Sequence, residues 1–150
     1  MLLCNYYKTK WPTGILFEST KYFGKYLHIP SGLSNPEYNR MSIFLLTEFL
    51  TKINKIYVSV HATYKEEKTR GQELMNLMDN LVKKLVSTLP YNISSVVFGG
   101  DFNAPFKNDI FSIYNPIIYT IPGTTVYSAT DNYGKRNSKN IDYIIIYKLF

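Results

Sequence analysis

Only one stretch of this 150-residue chain carries the apolar period of a helix, and β-rich runs lie on both sides of it. In "TRGQELMNLMDNLVKKLVSTLP" (69–90), Leu74, Leu77, Met78, Leu81, Leu85 and Leu89 recur at helical spacing, and Pro90 stands at the end. Ahead of it, "GILFEST" (14–20) reads as a short strand and residues 21–39 as an irregular, turn-rich connection. "RMSIFLLTEFL" (40–50) and "NKIYVSVHAT" (54–63) then read as the arms of an antiparallel hairpin. Beyond Pro90 come "SSVVFGGDFN", "DIFSIY", "PIIYTI", "TTVYSAT" and "NIDYIIIYKLF", apolar runs between Asn, Pro and Gly turns. This order predicts an α+β or α/β sandwich with flanking helices and mixed, mainly antiparallel sheets. No repeat, linker tract or charge block divides the chain, so residues 1–150 are expected to form a single domain.

Composition narrows the function classes. A hydrophobic fraction of 45% with 16% aromatics supplies a packed core, which excludes a disordered tail. Seventeen basic residues against eleven acids give a net charge of +6, which favours polyanionic partners through counterion release. Cys4 is the only cysteine, so no intramolecular disulfide can form and a reducing compartment is the default. No signal-peptide core or membrane span is visible, so the expectation is an intracellular protein, of cytoplasm or nucleus, with no membrane partner. Tyr-rich basic stretches such as "NYYKTKW" and "KYFGKY" could stack on and neutralise a nucleic-acid strand, or reflect chance among 14 tyrosines.

The chemistry concentrates in "SSVVFGGDFNAPF" (94–106). Val96, Val97 and Phe98 make a buried strand, and two glycines at its end allow close backbone approach and unusual dihedrals. Alternation along an extended segment sends Phe102 one way and Asp101 and Asn103 the other. One face then offers a carboxylate to hold or deprotonate water and an amide to donate to a phosphate oxygen. The competing structural reading is an Asp-Asn turn after a strand.

"VVFGGDFNAP" (96–105) resembles the Gly-Asp-Phe-Asn motif of the endonuclease/exonuclease/phosphatase superfamily, the DNase I-like metal-dependent phosphoesterases. Three further segments fall in the family's order. "KIYVSVHAT" (55–63) resembles its Asn-Thr-His-Leu strand, with Ser59, Val60 and His61 in place of Asn, Thr and His. "EEKTRGQELMNLMDNL" (66–81) resembles its Arg-x-x-Gln helix, with Arg70 and Gln72 closer together than usual. "GKRNSKNIDYIII" (134–146) resembles its Lys-Arg-Ile-Asp-Tyr-Ile strand, with Asn140 where a basic residue is usual.

The resemblance runs from about Gly14 to the last residue and implies a partial DNase I-like sandwich, truncated at both ends. It implies a nuclease-type phosphoesterase using Mg²⁺ or Mn²⁺, acting on DNA or RNA by in-line water attack. Its roles carry over to four catalytic residues. Asp101 positions or activates the water and is the metal candidate, and Asn103 binds the scissile phosphate. His61 faces that phosphate as acid or electrostatic donor, and Asp142 is the carboxylate that serves a further histidine in the family. Arg70 is a candidate for the substrate backbone, with a solvated helix start as its plain alternative. His61 alone would read as a satisfied histidine at a strand end, and Asp142 as a cap before "YIIIY".

Two family motifs find no match. Residues 1–13 contain no acid to stand for the metal-binding Glu, and no Ser-Asp-His follows the Asp-Tyr-Ile strand. Three alternatives to an active enzyme follow: a catalytically inactive remnant, a nucleic-acid-binding module, or a fragment of a longer nuclease. Strands missing from a sandwich would leave sheet surface bare, to be covered either by the chain itself or by a protein partner completing the sheet.

Overall fold

The computed structural model describes residues 1–4, 13–28, 40–62, 67–104, 115–120, 127–130, 136–139 and 142–149. The element order is β1 (Leu2–Cys4), β2 (Gly14–Leu16), β3 (Tyr22–Leu27), β4 (Met41–Glu48), β5 (Asn54–His61), α1 (Glu67–Thr88), β6 (Ile93–Asp101), β7 (Ile117–Thr120), β8 (Tyr127–Thr130), β9 (Arg136–Lys139) and β10 (Asp142–Lys148). Six strands form one sheet in the order β3-β4-β5-β6-β10-β7, and β1-β2 and β8-β9 form two-stranded ribbons. Within the six-stranded sheet β5 and β6 pair in parallel and every other neighbour is antiparallel. A parallel pair cannot be joined by a tight turn, and α1 is the crossover between its two strands.

The helix explains the core. Leu74, Met75, Leu77, Met78, Leu81, Val82 and Leu85 line one stripe of α1 and are buried. They share one cluster with Ile43 and Leu45 of β4, Ile56 and Val58 of β5, Val96 and Phe98 of β6, and Ile145 of β10. Alternation along each strand puts these side chains on the helix side of the sheet. A polar pair lies within this layer: the Tyr147 hydroxyl donates to Asp79 Oδ1 across 2.8 Å, with Asp79 only 3% exposed in mid-helix. Burial, then the nearby Asp79 charge, pushes the Tyr147 phenol far above its ordinary value, so it stays a donor.

The opposite face is half covered. Phe44 and Leu46 of β4 are buried there, beneath the β1–β2 ribbon, and Leu3 and Phe17 lie against Gly24. Over β6, β10 and β7 the face is open: Ile144, Ile117 and Tyr119 are 37%, 38% and 50% exposed.

The strand-rich reading and the β4–β5 hairpin agree with the structure, but residues 21–39 differ in part. Tyr22–Leu27 is a strand paired along its length with β4. Gly24 and the lysines of "KYFGKYL" look like turn residues. Here the glycine lets the Phe17 ring lie close over the strand, and a Cβ would make that ring shift. Strands β1 and β9 also arise in segments not expected to pair, and "DIFSIY" and "NYYKTKW" lie outside the described residues.

Tyr147→Phe keeps the ring against Phe98 and removes only the hydroxyl that reaches buried Asp79. It should lower unfolding stability by about 1–3 kcal/mol in a urea titration. An unchanged midpoint would show that the buried bond contributes nothing.

Candidate active site

The sheet brings three of the expected residues into one row. β5 ends at His61, which pairs with Asp101 at the end of β6. Asp101 in turn pairs with Asp142 at the start of β10. Residues directly opposite in a sheet point to the same face, so an imidazole and two carboxylates stand side by side at the sheet's rim. All three are half-buried, on the face away from α1.

The electrostatics follow from that row. Burial raises the Asp101 pKa above its ordinary value, and the charge of Asp142 raises it further. The backbone N–H of Asn103, donating to Asp101 Oδ1 at 2.8 Å, and the nearby His61 pull the other way. Burial dominates and the net shift is upward. Two carboxylates directly across from one another repel, so this part of the sheet is costly unless a proton or a cation sits nearby.

The glycine pair has two different jobs. Gly99 has open space where a Cβ would be, and needs no special backbone. Gly100 has φ = 135°, and a Cβ there would collide with the Val60 carbonyl oxygen of β5. Only glycine lets β6 lie this close to β5, one residue before the acid. Past Asp101 the chain turns at Asn103, which sits at φ = 49°, a left-handed conformation that Asn tolerates. Phe102 and Ala104 on either side are fully buried and anchor the turn.

Asn103 is engaged. Its Nδ2 donates to the Ala62 carbonyl at 2.6 Å, and the Ala62 N–H donates to the Asp101 carbonyl at 2.9 Å. Phe102 is buried and Asp101 and Asn103 are half-exposed, but Asn103 leaves the extended conformation, so the segment forms the Asp-Asn turn of the competing reading. The tie to Ala62 had no sequence signal beyond the second glycine. Arg70 falls in the first turn of α1, with its side chain outside the described residues. Gln72, its neighbour in the motif, donates to Asn76 on the helix surface. Glu18 occupies the turn before β3, ion-paired to Lys21 at 2.9 Å and away from the row's strands.

Among the described residues no three His, Cys, Asp or Glu side chains converge as a ready metal cage. Asp101 and Asp142 still suit an ion such as Mg²⁺, which takes one or two carboxylates and fills its shell with water and phosphate oxygen.

Two substitutions test this geometry. Gly100→Ala should cost roughly 2–4 kcal/mol of stability, since β5 and β6 must part to admit the methyl. Asp101→Asn should do the opposite at neutral pH. A carboxyl whose pKa is raised by folding adds full stability only below its ordinary value of 3.8 and loses it as pH climbs through the folded value. The neutral amide escapes that loss, so the variant should melt higher than wild type at pH 7, with the difference gone near about pH 3. A lower melting temperature at pH 7 would contradict the upward shift that burial gives Asp101.

No family model matches the sequence, and no curated protein matches it. Solved structures do. TDP2 from C. elegans is 12% identical with a TM-score of 0.57, over 99% of this chain and 48% of that one. D. rerio TDP2 complexed with a single-strand DNA product is 11% identical with a TM-score of 0.52, over 99% and 62%. ANGEL2, a 2′,3′-cyclic phosphatase in complex with adenosine-2′,3′-vanadate, is 12% identical with a TM-score of 0.56, over 97% and 63%. The chain thus spans about half to two-thirds of the length of these structures. Its fold is, in part, the DNase I-like fold that these structures share.

Proposed function

We propose that this chain is a nuclease-type phosphoesterase whose reactive groups are His61, Asp101 and Asp142. The single observation that carries the reading is the row itself: an acid of raised pKa between a histidine and a second acid at a sheet rim. Asp101 takes the proton of the attacking water. Asp142 stands directly beside it in the sheet. His61, on the other flank, gives a proton to the leaving oxygen as the P–O bond breaks and the new one forms. A bound Mg²⁺ or Mn²⁺, held by Asp101 and Asp142, would supply charge for the phosphate oxygens.

Nucleic acid is the proposed substrate class. The net charge of +6 suits a polyanion, and similar folds are found with a DNA product in TDP2 and a nucleoside vanadate in ANGEL2. The bare face over β6, β10 and β7 is proposed to seat a further polypeptide layer beside the β1–β2 ribbon. A non-catalytic binding module is the second reading, favoured by the lack of a three-ligand metal cage among the described residues.

The test is turnover of single-stranded DNA, RNA and a 2′,3′-cyclic nucleotide with Mg²⁺ or Mn²⁺. Wild type should cut at least one of them, and EDTA should stop it. Asp101→Ala should lower kcat about 100-fold or more. Salt-sensitive binding without turnover would favour the binding module, and turnover untouched by Asp101→Ala would remove Asp101 from the site.

A further inference from the structure

We infer that Asn103 is a positioning residue, strapping the end of β6 to the end of β5 so that His61 is held beside Asp101. A phosphate-binding amide is expected to point its NH₂ at the substrate. Here that group lies 2.6 Å from the Ala62 oxygen. Ala62 presents a carbonyl there, so the side-chain group facing it must be the donor, which is the NH₂. Ala62 follows His61 directly, and its own N–H donates to the Asp101 carbonyl at 2.9 Å. The two bonds run in opposite senses between one residue past β5 and the end of β6. They close a ring that contains the backbone of both His61-adjacent and Asp101-adjacent segments.

The rest of the turn serves this strap. The left-handed backbone at Asn103 swings its side chain back toward β5. Its N–H, donating to Asp101 Oδ1, ties the same turn to the carboxylate. Fully buried Phe102 and Ala104 fix the turn to the core on both sides. Gly100 removes the one atom that would hold the strands apart. A parallel pair has no tight turn at either end to set its register, so the rim of β5–β6 needs such a tie more than a hairpin would. Strand ends fray more readily than strand interiors, and the tie acts where both strands stop.

The kinetic part of this inference rests on the hydrolase reading above, whereas its structural part does not. Two variants of the full chain separate them. Asn103→Gly keeps the left-handed backbone and removes the amide; Asn103→Asp keeps the size but replaces the donor with an acceptor. In substrate-free protein, amide exchange at Ala62 should accelerate roughly fivefold or more in both variants, as loss of one hydrogen bond implies. Leu81 and Val82 amides in α1 should keep wild-type rates. The His61 ring resonances should shift, and they are assignable because His28 is the only other histidine, removable as His28→Gln. In turnover, kcat should fall with KM within about twofold of wild type.

Unchanged Ala62 exchange and His61 resonances together with a raised KM would make Asn103 a phosphate ligand and overturn the strap. Acceleration shared equally by the α1 amides would also overturn it, in favour of a general stabilising role. Should wild type show no turnover, the hydrolase reading fails while exchange and resonance data still decide the strap.

Discussion

The close parallel approach of β5 and β6 is the constraint on which the rest of this structure depends. Parallel pairing obliges the chain to leave the sheet between the two strands, and α1 is that departure. The helix returns over the sheet and buries its leucine stripe against both strands and their neighbours, so the core exists because the crossover does. At the far end of the same pair, Gly100 lies against the Val60 carbonyl where no other residue would fit. His61 and Asp101 become neighbours only because the strands that carry them meet at that separation.

This arrangement divides the sheet into a packed apolar face and a face that carries charge at its rim. The helix side is mostly apolar among the described residues, and the Tyr147–Asp79 hydrogen bond there offsets the cost of a carboxylate in mid-core. The other side carries the His61–Asp101–Asp142 row at its rim, and there the structure accepts two carboxylates in direct opposition. Opposed carboxylates lower stability where they meet. The same face is covered by the β1–β2 ribbon over β4 and open over β10 and β7, so its two halves meet different surroundings.

Much of the architecture was legible in the sequence because two strong periods dominate it. The helical recurrence from Leu74 to Leu89 and the apolar run before Gly99 survive any tertiary context. β3 was not legible. Gly24 breaks its alternation, and its role appears only once Phe17 is seen packed against it. β1 and β9 are short and depend on a partner strand brought from elsewhere in the chain, which no local propensity encodes.

The sequence by itself determined the residue types and their order: a histidine at one strand end, an acid and an amide after a glycine pair, a further acid before an isoleucine run. Resemblance could group them, but spacing along the chain could not say how they face one another. Only the tertiary structure decided that His61, Asp101 and Asp142 share one row, because register is set by long-range pairing across three strands. It also decided that Gly100 rather than Gly99 is the indispensable glycine, and that the Asn103 amide meets the Ala62 carbonyl. Those outcomes depend on distances between segments some 40 residues apart, as Ala62 and Asn103 are at a separation of 41, and such distances are fixed by packing, not by sequence pattern.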